Sequence, residues 1–433
     1  MSFSRRFLFT AAAIGFPAIR IGRGSPNEKF RVACMGVRGR AGHLMRGFAE
    51  LPEVDLVTLC DVDSRLFPQA VADVAQRQKK RPATVQDFRR VLDDKSIDVL
   101  CVGTPDHWHA IPTILACQAG KHVYVEKPCS HNVREGQAML AAARKYKKAV
   151  QVGIQTRSAR HFIEALDYIR SGKIGKVILA KGWETARQKP VPPVADGAVP
   201  DGVDYDIWLG PAPKRPFNQN RFHGSWRWFF DYGTGDLGND GVHRIDYARR
   251  GLAAGFEARG QKLPDWPKAV SANGGKFFFD DAQEWPDTLT VTWDYPGATL
   301  MYELRIWTPN TMESHEEGAA IYGSDGYVVI TNETWRAHDA RGSVVKRGES
   351  SKETEHDPGH KRNLLACIRD GKAPACDIAI GHIASSLCHI GNIAWRVDRK
   401  LHWDAVNERF AGDEEANRYL GRPYRPPWVL PKV

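Results

Sequence analysis

Lys127, in the segment Glu126-Lys127-Pro128, lies at the end of a predicted strand, where its ammonium can take part in a reaction. It follows the apolar run from His122 to Val125, and Pro128 prevents that run from continuing as a regular strand. An ammonium at this position can donate to a substrate hydroxyl or, when partly desolvated, help to take its proton. A salt bridge at a strand end is the purely structural alternative, and Glu126 can orient the lysine or hold the turn.

A histidine, His243, lies more than a hundred residues further on, at the end of Asn239-Asp240-Gly241-Val242-His243. Imidazole is the side chain whose unperturbed pKa lies closest to neutral pH, so a histidine can take part in proton transfer. A histidine satisfied within the core is the structural alternative.

Aromatic residues precede this segment closely, and Trp226, Trp228 and Tyr232 are the members of interest. Their flat rings can cover the apolar C–H face of a sugar while neighbouring polar groups bind its hydroxyls. Packing of a proline-rich loop explains the same rings equally well. We expect these three side chains to contact the substrate.

A glycine-rich turn, Gly36-Val37-Arg38-Gly39-Arg40-Ala41-Gly42, follows the first apolar strand and opens a helix. Glycines let the backbone approach a pyrophosphate, and the helix N-terminus supplies amide donors. Asp61 ends the next strand, where a carboxylate can bind ribose hydroxyls. This pattern predicts a dinucleotide site with NAD preferred over NADP, although Arg38, Arg40 and Arg65 lie near enough in sequence to soften the preference.

Thr104-Pro105 follows the strand that ends at Gly103, at the edge of the sheet where such folds bind ligands. We expect it to line the nicotinamide side of the site. His107 and His109 follow, but no carboxylate or cysteine cluster accompanies them, and no Cys-x-x-Cys pair occurs in the chain. We therefore expect a helical turn of packed rings there and no metal.

Elements that could position these residues are visible as alternating apolar strands and amphipathic helices between residues 30 and 153. Continuous apolar strands of this kind predict a doubly wound parallel sheet. The predicted strands are Phe30–Met35, Val54–Cys60, Ile97–Val102, His122–Val125 and Val150–Val152.

The second half of the chain has a different pattern. Leu289, Val291 and Trp293 alternate with threonines, which predicts a half-buried strand. Turn residues at 295–297 and 323–326 predict two hairpins, and Val177–Ala186 predicts a further strand. We expect a large, mostly antiparallel sheet. The predicted division is a leader at 1–26, a nucleotide-binding domain at 28–153 and an α/β domain at 154–433.

Charge and composition exclude some functions. The net charge of +10 owes four units to Arg5, Arg6, Arg20 and Arg23, and the rest of the chain mixes both signs without a basic run. Nucleic acid is therefore not expected as a partner. Arg5-Arg6-Phe7-Leu8 before a short apolar run resembles a twin-arginine export signal, with a cytoplasmic N-terminus as the alternative. No segment is apolar enough to predict a transmembrane span.

Together, the glycine turn, Asp61, Thr104-Pro105, Glu126-Lys127-Pro128 and a histidine in the second half resemble the Gfo/Idh/MocA family. This group includes glucose–fructose oxidoreductase and inositol dehydrogenase. The resemblance implies a Rossmann domain followed by an α/β domain whose open sheet mediates homo-oligomers. It also implies that Lys127 belongs to the catalytic site and that His243 is the acid/base.

Two sets of binding residues follow from the motifs and the resemblance together. The residues predicted to bind the cofactor are Gly36, Arg38, Gly39, Arg40, Asp61, Thr104, Pro105, His107, Glu126 and Gln155. Those predicted to contact the substrate are Arg157, Trp226, Trp228, Tyr232, Asn239 and Asp240.

One departure from the family pattern concerns the residue four before the histidine, which is often aspartate and is Asn239 here. An asparagine can orient a ligand but cannot relay a proton. Asp236 or Asp240 could replace it, or His243 could act alone.

The leading interpretation is an NAD-dependent oxidoreductase that acts on a secondary hydroxyl of a sugar, glycoside or cyclitol, with a tightly bound and recycled cofactor. One alternative is an NAD-requiring glycosidase that oxidises C3 transiently and eliminates the aglycone. A non-catalytic NAD-bound binding or regulatory protein is the third.

Overall fold

A computed structural model describes residues 29–350 and 356–433 of the chain. The predicted leader at 1–26 lies outside the described residues. These residues form two sheets, one of six strands and one of ten.

The first sheet is parallel, with strand order β3-β2-β1-β4-β5-β6. Its strands are β1 (Phe30–Met35), β2 (Val54–Cys60), β3 (Ala83–Val85), β4 (Val99–Val102), β5 (His122–Val125) and β6 (Val150–Val152). The helices along this part of the chain are α1 (Gly39–Ala49), α2 (Phe67–Gln78), α3 (Arg89–Asp93), α4 (Ala110–Gln118) and α5 (Val133–Lys145). All four residues of β4 are buried, as expected for a strand covered on both faces.

Strand order in this sheet reverses between β1 and β4, which opens a crevice at their carboxyl ends. The loops after β1, β4 and β5 carry the glycine turn, Thr104-Pro105 and Lys127 respectively. Each predicted strand is present, although β4 begins at Val99 instead of Ile97. The short β3 strand, of which no residue is fully buried, gives no apolar signal in the sequence.

The second sheet has the order β14-β13-β12-β11-β7-β10-β9-β8-β15-β16. Its first strands are β7 (Leu179–Glu184), β8 (Ala269–Gly275), β9 (Thr288–Tyr295), β10 (Ala298–Arg305) and β11 (Glu317–Tyr322). The others are β12 (Gly326–Ile330), β13 (Thr334–Asp339), β14 (Val344–Glu349), β15 (Leu401–Asp404) and β16 (Arg409–Phe410). The pair β7–β10 is parallel, and the other pairs of this sheet are antiparallel.

Both predicted hairpins are present, β9–β10 and β11–β12. The helices of the second part are α6 (Arg160–Arg170), α7 (Tyr205–Leu209), α8 (Gly235–Asn239), α9 (Gly241–Glu257), α10 (Asp357–Asp370), α11 (Ile378–Val397) and α12 (Glu414–Arg418). Leu289, Val291 and Trp293 are buried, whereas the threonines between them are at least partly exposed, as the alternation predicts. In the described ranges, no helix combines the length and hydropathy needed to cross a bilayer.

The last residues of the chain return to the first sheet. The Tyr424 hydroxyl donates to Glu135, and Arg425 pairs with Asp206 at 2.6 Å. The buried Trp428 packs edge-on against Trp108. The C-terminus therefore ties the two parts of the chain together.

Candidate functional site

A cleft of about 300 Å³ lies at the carboxyl edge of the parallel sheet and takes its walls from both halves of the chain. It collects most of the predicted residues. Those in its lining are Gly36, Arg38, Gly39, Arg40, Asp61, Thr104, Pro105, Glu126, Lys127, Trp226 and Asn239.

In the glycine turn, the backbone itself lines the cleft. Gly36 has a φ of +92°, and a Cβ there would lie 2.9 Å from the Ala41 Cβ and 3.1 Å from the Gly103 carbonyl oxygen. Around Gly39, by contrast, a Cβ would meet nothing within 4 Å. The turn is therefore packed against the sheet on one side and open to a ligand on the other. This arrangement fits a pyrophosphate beside the start of α1.

Asp61 joins the turn to the next strand. Its carboxylate accepts hydrogen bonds from the backbone amides of Val37 and Asp63, both at 3.0 Å. Burial raises the pKa of Asp61 despite these bonds. The remaining lone pairs of a carboxylate held in this way can receive ribose hydroxyls. On the same wall, the buried Thr104 hydroxyl has no hydrogen-bond partner within the described residues, which leaves it for a ligand. These residues fit a dinucleotide.

Arg40 is engaged by acids on two other elements. Its Nε donates to Glu126 Oε1 at 2.7 Å, and its two terminal nitrogens donate to Asp357 at 2.5 and 2.6 Å. Burial alone would raise the pKa of Asp357, but the Arg40 contact brings it to about 2. Arg40 therefore braces the loop that carries Lys127 against the start of α10.

The other two arginines near the turn are also held in place. Arg65 forms bonds of 2.7 Å to each carboxylate oxygen of Asp63. Arg38 donates to the backbone carbonyl of His223 at 3.2 Å. His223 itself bonds to Asp63 at 2.7 Å, so this rim of the cleft is one connected network.

The Lys127 ammonium reaches across to the second half of the chain. It donates to the Asn239 carbonyl oxygen at 2.6 Å and lies 3.3 Å from Asn239 Oδ1 and 3.6 Å from Asp240 Oδ1. The Asn239 amide in turn donates to Asp240 Oδ2 at 2.9 Å. Glu126 Oε2 accepts from the Lys127 amide at 3.1 Å and so helps to fix the lysine backbone. Asn239 and Asp240 together therefore position the ammonium.

His243 lies in the first turn of α9, below the cleft wall and outside its lining residues. Its side chain is 7% exposed, and Nδ1 has no hydrogen-bond partner in the described ranges. Burial and then the charge of Lys127 lower the pKa of His243 well below its usual value. The imidazole is therefore neutral at neutral pH and has a free nitrogen to accept a proton.

Two carboxyl groups behind Asn239 complete this region. Asp236 accepts from the Asn239 amide at 3.3 Å, while its other oxygen is buried without a partner in the described ranges. Burial, together with Asp240 and Glu184, raises the pKa of Asp236 well above its usual value. Of the two acids that could replace the missing aspartate, Asp240 is the one in contact with Lys127.

The remaining predicted residues lie away from the cleft wall. The His107 ring bonds to the Trp208 carbonyl at 2.9 Å, and burial lowers its pKa to about 3. Tyr232 packs edge-on against His107, and Trp228 is buried. Arg157 pairs with Asp246 through bonds of 3.0 and 2.5 Å.

Gln155 begins the single turn after β6, and its side-chain oxygen is buried. Some lining residues had no sequence signal, because segments distant along the chain bring them to the cleft. They include Gln86, Ile207 and Trp208. Among the residues described, no group of three or more histidine, cysteine or acidic side chains is arranged to hold a metal ion.

Comparisons with known proteins agree with this architecture. A model of an oxidoreductase family with an NAD-binding Rossmann fold matches residues 30–154, and the model of its C-terminal α/β domain matches residues 187–253 and 344–430. The chain belongs to the Gfo/Idh/MocA family of oxidoreductases. The two matches together cover more than half of the chain.

Relatives within the Gfo/Idh/MocA family include sugar enzymes. A levoglucosan dehydrogenase of Pseudarthrobacter phenanthrenivorans is 29% identical over 210 residues, which are 48% of this chain and 46% of that protein. An alpha-N-acetylgalactosaminidase of Shewanella oneidensis is 26% identical over 155 residues, 35% of this chain and 34% of that protein. The chain thus aligns with less than half of the length of either relative.

Solved structures show the same fold at lower identity. The aldose-aldose oxidoreductase of Caulobacter crescentus superposes with a TM-score of 0.65 at 22% identity, covering 87% of this chain and 100% of that one. A levoglucosan dehydrogenase in complex with NADH gives a TM-score of 0.65 at 18% identity, covering 87% and 99%.

Proposed function

We propose that this protein is an NAD-dependent oxidoreductase that acts on a secondary hydroxyl of a sugar, glycoside or cyclitol. The observation that carries the proposal is that one cleft joins a dinucleotide-binding turn to an ammonium positioned by a second element. The names of the relatives, a levoglucosan dehydrogenase and an aldose-aldose oxidoreductase, support a carbohydrate substrate.

The chain's own residues divide the work as follows. The glycine turn and Asp61 hold the dinucleotide, and Thr104 and Pro105 border its reactive end. When bound, NAD supplies the capacity to accept a hydrogen with its electron pair from the carbinol carbon. Lys127 donates a hydrogen bond to the substrate hydroxyl and stabilises the negative charge that develops on its oxygen. His243 accepts the hydroxyl proton directly, or the Lys127 ammonium passes one of its protons to His243 and takes the hydroxyl proton in its place.

The preference for NAD over NADP rests on Asp61 and on the contacts that the nearby arginines already make. Asp61 presents a carboxylate where a 2′-phosphate would need a cation. Arg40 and Arg65 are each paired with acids, and Arg38 is tied to a backbone carbonyl. A 2′-phosphate would therefore compete with groups that these arginines already bind.

A second candidate is an NAD-requiring glycosidase. The alignment with an alpha-N-acetylgalactosaminidase and with glycosyl hydrolase family 109 proteins favours it. Oxidation at C3 would acidify the neighbouring C2–H bond and permit elimination of the aglycone from C1. Water would then add across the resulting C1–C2 double bond, and the hydrogen would return to C3. This reaction uses the same Lys127 and His243 but has no net redox change.

Export and assembly complete the proposal. The paired arginines Arg5-Arg6 would direct the folded protein through the twin-arginine pathway, so that it carries its cofactor to a compartment without a free NAD pool. The dinucleotide would then be retained and recycled on the enzyme. The outer face of the ten-stranded sheet would join copies of the chain into a homo-oligomer.

The deciding experiment starts with protein purified without added nucleotide. The protein is denatured, and any released dinucleotide is quantified by mass spectrometry. Near-stoichiometric NAD(H) supports the retained cofactor, whereas empty protein that binds NAD reversibly contradicts it. Nitrophenyl glycosides then separate the two reactions, because the dehydrogenase leaves a keto-glycoside intact and the glycosidase releases nitrophenol. Bound NAD without either product, over a panel of such glycosides, would contradict both and leave the binding-protein interpretation.

A further inference from the structure

A second cleft of about 360 Å³ opens on the far side of the loop that follows Tyr232. Its walls come from the end of α11, from the residues after α12 and from the loop around Phe230. Three arginines, Arg396, Arg418 and Arg422, line it, and we call it the arginine cleft. Its volume is within the range of small-molecule sites.

The charge of the arginine cleft is strongly positive. Asp231 is the one carboxylate in its described lining, and it already pairs with Arg215 at 2.8 Å. His389, also in the lining, is held neutral because burial lowers its pKa to about 3. In the described part of the chain, neither Arg396 nor Arg418 forms an ion pair. These charges are therefore available to an anion.

The guanidinium of Arg396 is held in a defined place. It lies 4.5 Å from the ring centroid of Phe230 and 4.5 Å from that of Tyr419, so that two aromatic faces flank it. Arg422 is fixed by donating to the Asp231 carbonyl at 2.8 Å. Arginines immobilised in this way lose little side-chain entropy on binding, and their planar forks match carboxylate and phosphate oxygens.

The arginine cleft is distinct from the cleft that contains Lys127, but Thr234, in the lining of the arginine cleft, links the two. The Thr234 carbonyl accepts from Asn392 in the arginine cleft at 2.8 Å. The Thr234 hydroxyl donates to Asp106, a lining residue of the dinucleotide cleft, at 2.8 Å. A ligand in the arginine cleft would thus be connected to the dinucleotide cleft through the hydrogen bonds of Thr234.

We propose that the arginine cleft is a second binding site, for a small organic anion of about monosaccharide size that carries a carboxylate or a phosphate ester. The two sites would recognise different ligand groups. At the Lys127 site an ammonium would bind substrate hydroxyls, whereas in the arginine cleft several guanidiniums would bind an anionic group. The proposal does not depend on which redox reaction the protein catalyses.

The test is isothermal titration at low ionic strength with full-length protein saturated with NAD, so that the glycine turn is filled. The probes are D-glucuronate, glucose 6-phosphate and inorganic phosphate, with glucose as the neutral control. We expect saturable binding of at least one anion, tighter than any binding of glucose, which can occupy the Lys127 site. Whether glucuronate or glucose 6-phosphate binds more tightly distinguishes a carboxylate from a phosphate ligand.

Variants place the binding in this cleft. Arg418→Gln and Arg396→Gln should each weaken binding about tenfold, whereas Arg396→Lys should retain part of it. The matched control is Arg160→Gln, because Arg160 is exposed on α6 and lines neither cleft. Arg396 and Arg418 are both exposed, so both variants should fold. The proposal is wrong if no anion binds saturably, or if Arg418→Gln and Arg160→Gln bind equally well.

Discussion

Lys127 and His243 come from different halves of the chain and influence each other electrostatically. The Lys127 ammonium is held by Asn239 and Asp240, immediately before α9, and it helps to lower the pKa of His243 on the first turn of that helix. This coupling should be measurable in the pH dependence of activity.

We expect Lys127→Met to lower kcat by about 10² to 10⁴-fold, because the variant keeps the length of the side chain but loses the hydrogen bond to the substrate hydroxyl. The amount of bound dinucleotide should change little. The measurement is steady-state kinetics on the best glycoside or polyol substrate, with dinucleotide content as the folding control. A rise in KM alone, with kcat unchanged, would contradict a role in the chemical step.

The same variant should move the pH profile in a defined direction. His243 has a lowered pKa, so it is neutral at neutral pH and becomes protonated only as the pH falls through that low value. Activity that needs neutral His243 is therefore full at neutral pH and lost on the acid side. Removing the Lys127 charge removes one cause of the lowering, so the acid limb of residual kcat/KM should shift to higher pH. An unshifted limb would indicate that another group titrates.

At the scale of elements, the turn between β1 and α1 depends on Gly36 more than on Gly39. Both have positive φ, but only Gly36 is packed against the sheet. Gly36→Ala should therefore destabilise the fold by about 1–3 kcal/mol and abolish dinucleotide retention. Gly39→Ala is the matched control, and its strain alone should cost about 1 kcal/mol. Denaturant unfolding measures the loss of stability in both variants, and equal losses of unfolding free energy would contradict this account. Dinucleotide content measures retention in Gly36→Ala.

The turn and its acid were predictable from the sequence because their signals are local. Gly36 and Asp61 belong to consecutive β–α units, and the periodic apolar strands fix their place. Asp357, which pairs with Arg40 across 317 positions of sequence, was not predictable. No pattern around a single aspartate says which distant arginine it will meet.

The aromatic wall of the cleft was only partly predictable from the sequence. The aromatic residues 226–232 were recognised as a group, but their sequence did not say which rings face the cleft. Trp226 lines it, while Trp228 and Tyr232 are buried in the core. The segment forms one 3₁₀ turn, Ser225–Trp228, followed by irregular chain, which is too short a repeat to assign faces from the sequence. This distinction therefore needed the tertiary structure.

At the scale of the whole molecule, the C-terminal segment holds the two parts of the chain together through Trp428. Its ring lies 5.1 Å from that of Trp108, a lining residue of the dinucleotide cleft, and 6.1 Å from that of Phe88. The Arg89 guanidinium lies 5.0 Å from the Trp428 ring centroid. The last turn of the chain therefore supports one wall of the site from behind.

We expect Trp428→Ala to lower the free energy of unfolding by about 3 kcal/mol, because it removes a large buried ring that the chain end cannot replace. Loss of support for Trp108 should also speed release of the dinucleotide. The neighbouring Val429 is 53% exposed, so Val429→Ala should change stability by no more than about 0.5 kcal/mol and leave release unchanged. Denaturant unfolding at a fixed dinucleotide concentration and the rate of dinucleotide loss on dilution measure the two effects. If Trp428→Ala unfolded and released dinucleotide like Val429→Ala, the chain end would be a passive tail and the cleft wall would stand without it.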